Sequence, residues 1–167
     1  MGLFGGEDPR ETAIAWLFVV VQLALLLVIF LLPSGDAWTV PPGLDLAAFA
    51  LEIAGAVLLL GGLVNLGPSL TPLPTPVPHG RLRERGLYRW VRHPIYAGIM
   101  ALVVGVSIRA ASVPTAIASA ALIGWFVVKA RWEEARLARR YPGYVEYAAR
   151  TPRFVPGWPV RPVPRTG

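Results

Sequence analysis

Residues 13–32 read AIAWLFVVVQLALLLVIFLL, twenty positions without a charge and with a single polar side chain, Gln22. At about 1.5 Å per helical residue the run is about 30 Å long, the thickness of a bilayer's hydrocarbon core. It reads as a transmembrane helix. The preceding residues, GGEDPRET, are acidic rather than basic, the run is too long for a secretory signal, and no A-x-A site follows before Pro33, so a cleaved leader is not expected. Composition agrees with a membrane location: 54% of the 167 residues are hydrophobic and 16% are charged, against about 25% charged in soluble domains.

Outward from that segment, three more apolar runs follow. The second covers 44–64 and carries Asp45 near its start and Glu52 inside it. Residues 67–80, GPSLTPLPTPVPHG, hold five prolines and cannot form a regular helix. The third run, 95–108, has only 14 residues and looks too short to cross upright, unless Arg109 snorkels and residues near Trp90 join it. The fourth, 115–128, is expected to continue as a polar helix to about Arg140, because KARWEEARLARR is good helix-forming sequence. The fold class that results is all-α: a polytopic membrane bundle of about four transmembrane helices with a C-terminal cytoplasmic helical segment. We read residues 1–167 as one domain, with regions 66–94 and 129–157 at the cytoplasmic face.

Orientation comes from the basic residues. One lies before the first run (Arg10), none in 33–43, five in 81–92, one at the turn after the third run (Arg109), and nine beyond Val128. Four crossings put 15 of them on one side and one on the other, so both termini are expected in the cytoplasm, and the membrane is the inner one if the cell is bacterial. The net charge of +6 needs no nucleic-acid partner to explain it. With no cysteine, disulfides and thiolate chemistry are excluded. Two histidines, His79 and His93, show no spacing to carboxylates that suggests a metal site.

The unusual side chains gather on the expected cytoplasmic side in three pieces: the Pro-rich loop with 81–96, the pair Glu133–Glu134, and the tail YPGYVEYAARTPRFVPG. Each has an ordinary structural reading. The arginines at 81, 83, 85, 89 and 92 could serve topology and lipid headgroups, and Tyr88, Trp90 and Tyr96 an interfacial aromatic belt. Glu133 could pair with Arg136 three residues on. Asp45 is expected to pair with Arg109 at the opposite boundary, while Glu52, near mid-span, has no evident partner. Topology places the three pieces on one face without requiring that they touch.

Taken in order, LGPSLTPLPTPVPHGRLRERGLYRWVRHPIYAG, then RWEEARL, then YPGYVEYAARTPRFVPG resembles the isoprenylcysteine carboxyl methyltransferase-like family, which is similar to the phospholipid N-methyltransferases. The likeness spans roughly 66–157. One departure is Leu87, where the family usually has Pro. The resemblance implies a membrane enzyme that uses S-adenosylmethionine at the cytoplasmic face and a lipophilic acceptor that enters from the bilayer. It places Arg92, His93, Tyr96 and Gly98 in the cofactor motif, Glu133 and Glu134 at the family's acidic pair, Thr71 in a loop closing over the ligand, and Tyr144, Tyr147 and Arg153 in the tail that completes the site. Arg153 and Arg92 are the candidates for catalytic work, Arg153 as a bidentate holder of an anionic acceptor. Two other readings remain: an NADPH-dependent enzyme like the sterol reductases, which share R-H-P-x-Y, and a non-catalytic membrane scaffold.

Overall fold

A computed structural model describes residues 9–67 and 82–160. The helices are α1 (Pro9–Leu31), α2 (Pro42–Leu66), α3 (Pro94–Ala110), α4 (Val113–Arg140) and α5 (Tyr144–Arg150), with a 3₁₀ turn at Gly86–Arg89 before α3. The described residues contain no strand. Helices α1, α2 and α4 are long and apolar enough to cross a membrane, and α3 is apolar but shorter. Large apolar side chains such as Leu23, Leu27, Phe30, Leu46, Val57 and Val64 stand exposed along α1 and α2. Water would not tolerate so continuous an apolar surface, and a bilayer requires it.

Proline stands in the first turn of α2, α3 and α4, at Pro42, Pro94 and Pro114, where its fixed φ suits the helix and its missing N–H costs nothing. The third helix gains length at its far end, not near Trp90. Trp90 lies in a turn and is exposed, while α3 runs on through Arg109 to Ala110. That end is capped by residues 35–38. The N–H groups of Gly35 and Ala37 donate to the carbonyls of Ala110 and Ala111, at 2.8 and 2.9 Å, and the Trp38 indole donates to the Ile108 carbonyl at 3.0 Å. Orphan carbonyls at the helix terminus are satisfied in this way without water.

The helices pack as antiparallel neighbours, α2 on α3, α3 on α4, and α4 on α1. Close approach of α2 and α3 depends on glycines. A Cβ on Gly98 would come within 2.6 Å of the Gly55 carbonyl oxygen and of the Leu59 nitrogen. One on Gly105 would fall 2.7 Å from the Ala48 carbonyl oxygen. Lipid offers no hydrophobic drive between helices, so backbone contact through small residues carries much of the association. At the end distant from most of the basic residues, Arg109 Nε donates to Asp45 at 2.8 Å, and its Nη1 lies 3.2 Å from Glu52. The expected Asp45 pair is present, and Glu52 has the same guanidinium as its partner, because residues seven apart share one helical face. Between α1, α3 and α4 the core is Ile29, Val103, Ala118, Leu122 and Phe126.

This packing brings the start of α1, the end of α2, the start of α3 and the end of α4 to one end of the bundle. Near it the salt bridge from Arg136 to Glu11, 3.0 Å long, ties α4 to the first turns of α1. We expect Gly98→Val to prevent α2–α3 docking, because the obstructing atoms are backbone and cannot rotate away. The cost exceeds the ~1–3 kcal/mol usual for overpacking, visible as loss of a monodisperse folded species in detergent. Gly124→Ala, whose added Cβ meets nothing within 4 Å, leaves thermal stability intact.

Candidate functional site

At that end of the bundle the chain buries a carboxylate. Glu134, 2% exposed, lies in the polar extension of α4 beyond its apolar part. Arg153 of the tail reaches it with both edges of its fork, Nε to Oε1 at 2.8 Å and Nη2 to Oε2 at 2.6 Å. His93 Nε2 stands 3.1 Å from the same Oε1, and Arg92 Nη2 stands 3.5 Å from it. A carboxylate out of water needs such compensation, since the desolvation penalty is several kcal/mol per ion.

Local sequence explains how two of these partners come to face it. Pro94 starts α3, so His93 and Arg92 lie outside the helix and their N–H groups need acceptors elsewhere. The tail supplies them: Arg92 N–H donates to the Pro152 carbonyl at 2.9 Å and His93 N–H to the Arg153 carbonyl at 3.1 Å. Backbone pairing thus sets the register in which the Arg153 side chain meets Glu134. The tail itself is seated by α5, whose Tyr144 and Tyr147 are buried with Ala148 against Leu82, Leu137, Ala138 and Tyr141. The Tyr147 hydroxyl donates to the Tyr88 carbonyl at 2.6 Å, and Arg150 pairs with Glu84.

Glu133 belongs to a second layer beside the first. Its Oε2 accepts from the Tyr96 hydroxyl at 2.8 Å and lies 3.7 Å from His93 Nδ1. The His93 ring therefore stands between the two glutamates. It stacks on Tyr96 at 5.2 Å, Tyr96 stacks on Phe126 at 4.9 Å, and Phe154 leans against His93 at 5.9 Å. The result is an aromatic wall beside the ion cluster.

The described parts of the three patches that topology is expected to gather on one face are therefore in contact. Arg92, His93, Tyr96, Glu133, Glu134 and Arg153 form one continuous set, and Tyr144 and Tyr147 pack immediately behind it. Gly98 is placed differently: its open side faces the backbone of α2, so helix packing accounts for the glycine. Thr71 lies outside the described residues. The fork of Arg153, expected to hold an acceptor, is engaged by Glu134. Sequence reasoning did not single out Phe126, Phe154, Lys129 or Gln22. The available signal was that Gln22 is the one polar side chain of its run and Lys129 the first charge after the fourth.

Two buried groups here keep unused polar atoms. Nε and Nη1 of Arg92, which is 4% exposed, have no hydrogen-bond partner among the described residues, and neither does the hydroxyl of Tyr144. Such groups are uncommon in a settled interior and suit a site that receives an anion.

The profile of the isoprenylcysteine carboxyl methyltransferase family matches residues 47–139. The chain belongs to that family. A curated relative, protein-S-isoprenylcysteine O-methyltransferase B of Arabidopsis thaliana, is 32% identical over 108 residues, which are 62% of this chain and 55% of the relative. The chain thus spans about half the length of the curated relative it matches. The matched profile runs from α2 through α4 and holds Arg92, His93, Tyr96, Glu133 and Glu134. The tail with Tyr144, Tyr147 and Arg153 lies beyond it, and its place at the cluster rests on the contacts above.

Burial raises the ionisation of the Tyr144, Tyr147 and Tyr88 hydroxyls above the usual 10, helped at Tyr144 by the charge of Glu134 and at Tyr88 by that of Glu133. The Arg153 guanidinium is held more firmly protonated by its hydrogen bond to Glu134. Raised values mean that the folded state prefers neutral phenols. Their contribution is complete below pH 10 and is lost as the pH rises above it. We expect α5 to detach reversibly above that pH, with tyrosinate absorbance and protease cleavage near Arg150 appearing together. Tyr144→Phe removes a hydroxyl with no partner among the described residues, so it leaves stability at neutral pH unchanged and delays the alkaline detachment.

Proposed function

We propose that the protein is an S-adenosylmethionine-dependent methyltransferase of the membrane, that the Glu134 cluster is its cofactor seat, and that its acceptor is a molecule with a lipid-soluble part. The observation that carries this reading is Arg92: a buried guanidinium with two unpartnered nitrogens, held beside paired carboxylates and an aromatic wall in a member of this family. A ligand with a carboxylate, an ammonium, hydroxyls and a flat base matches that donor set group by group. Arg92 would receive the carboxylate through Nε and Nη1. Glu133, whose side chain is 23% exposed, would accept from the ammonium or from ribose hydroxyls. The base would lie beside the aromatic set of His93, Tyr96, Phe126 and Phe154.

When bound, S-adenosylmethionine supplies an activated methyl group, so the chain's own work is alignment and exclusion of water. Glu134 and Arg153 hold each other and keep Arg92 and His93 at the entrance of α3. In this assignment Arg153 is a positioning residue and Arg92 the residue that touches ligand. Thr71 and Gly98 keep only the role that resemblance gives them. A carboxylate acceptor brings its own lone pair and asks no general base of the chain, and an amine acceptor would need one.

We further propose four crossings with both ends in the cytoplasm, supported by the 15-to-one distribution of basic residues. A reporter joined after Gly167 should then report cytoplasm, and one inserted near Gly35 the opposite side. Exchange of the two signals would reverse the orientation.

Calorimetry on the purified protein tests the cofactor seat. We expect S-adenosylmethionine to bind and NADPH not to. Glu133→Gln should weaken cofactor binding at least about tenfold, the loss of one charge-assisted contact, and His93→Gln should weaken it through the lost ring contact, while the protein stays folded. Binding of NADPH in place of S-adenosylmethionine, or full cofactor affinity in both variants, would refute the reading. Glu134→Ala is expected to behave differently. It strands Arg92 and Arg153 and costs about 3–5 kcal/mol, so the tail should be lost along with binding.

A further inference from the structure

One buried charge lies outside the cluster just described. Lys129 is 2% exposed and sits on the inner side of α4, one helical turn before Glu133 and therefore about 6 Å deeper toward the membrane. Its Nζ donates to Gln22 Oε1 of α1 at 2.7 Å and lies 5.2 Å from the centre of the Tyr96 ring. Tyr96 in turn donates to Glu133. Lys129 thus stands where α1, α3 and α4 meet, between the cofactor seat and a helix whose outer side chains, Leu23 and Leu27 among them, face lipid.

Helix packing alone does not call for an ammonium here. Burying one costs several kcal/mol, of which the Gln22 amide, the Tyr96 ring and the charge of Glu133 offset a part. An ammonium has three donors, and the side-chain acceptor described for Lys129 is Gln22. Gln22 is in turn the only polar residue of the run 13–32, so the apolar part of α1 gives its one polar position to holding this lysine. A pair with Glu133 at i+4 would run in the less favourable order, cation before acid.

Charge counting points the same way. Arg92, Arg153 and Lys129 bring three positive charges to this region, and Glu133 and Glu134 bring two negative ones. The stretch 68–81 contains no Asp or Glu that could add another negative charge. One positive charge is left over, and the cofactor proposed above adds a net positive charge of its own. A water-poor site carrying that excess favours an anion as its second occupant.

We propose that Lys129, tethered by Gln22, is a specificity-determining residue that receives the anionic head group of the lipid-soluble acceptor beneath the cofactor. The inference rests on the methyltransferase reading for the identity of the occupant, though not for the presence of an anion site. The experiment compares binding of an N-acetyl-S-prenylcysteine with that of its neutral carboxamide in lipid nanodiscs, with cofactor affinity measured separately. Wild type should prefer the acid by at least about tenfold, as one charge-assisted contact supplies. Lys129→Met should reduce that preference to within about twofold and leave cofactor affinity unchanged, whereas Lys129→Arg should retain it. If Lys129→Met does not fold, Gln22→Leu decides: removing the tether should shrink the preference several-fold.

The proposal is overturned if wild type binds acid and amide alike, if Lys129→Met or a tetherless Gln22→Leu keeps the full preference, or if Lys129→Met loses cofactor affinity in step with acid affinity. A wild-type protein that prefers the acid but does not bind S-adenosylmethionine would defeat the methyltransferase reading and leave the anion site standing.

Discussion

A carboxylate cannot sit in a dry interior without cations or donors around it, and Glu134 meets that requirement by drawing on three separate parts of the chain. Arg92 and His93 come from the entrance to α3, Arg153 from the tail, and the glutamate itself from α4. None of these contacts is local in sequence, so each acts as a tie between elements. Backbone pairing of 92–93 with 152–153 fixes the register, and the burial of Tyr144 and Tyr147 holds α5 where the pairing can form. Remove the carboxylate and the arginines lose their reason to be buried. The architecture at this end of the bundle depends on that one exchange of charge.

The two ends of the bundle use charge differently. At one, Arg109 answers Asp45 and Glu52 near the surface, where Arg109 and Asp45 remain substantially exposed and the pairing mainly settles acids that would otherwise face lipid. At the other, ions are enclosed by aromatic rings and by the folded-back tail, and Arg92 retains nitrogens with nothing to bind among the described residues. Satisfied charges stabilise a structure, and unsatisfied buried donors are costly unless something arrives to use them. That contrast separates the end that serves structure from the end suited to a ligand. The glycine contacts between α2 and α3 connect the two ends, because they set how closely α3, which begins at the cluster and ends at Arg109, lies against its neighbour.

Much of this was legible without coordinates. Apolar run lengths specify spanning helices because backbone groups in lipid must bond within their own segment, which leaves little choice of structure. The polar continuation of α4 follows from local helix propensity, and the pairing of Asp45 with Arg109 from the membrane boundary that topology makes them share. The candidate residues were recognisable as types in a motif order, and most of them do meet. Gly98 was harder to place, since a glycine in a motif looks the same whether a ligand or a neighbouring helix needs the space. The fork of Arg153 suits an anionic acceptor as well as a glutamate, and nothing in the tail's sequence announces that Glu134 takes it.

By itself the sequence determined that the chain lives in a membrane, and that it does so as a helical bundle. Those properties are sums over single segments and need no knowledge of neighbours. Only the tertiary structure decided that Glu134, not Glu133, is the buried hub, that Glu52 shares Arg109 with Asp45, and that Lys129 is enclosed beside Gln22 and Tyr96. Such outcomes depend on the rotation and depth of one helix against another. These are set by close packing among residues tens of positions apart, and no local pattern carries that information.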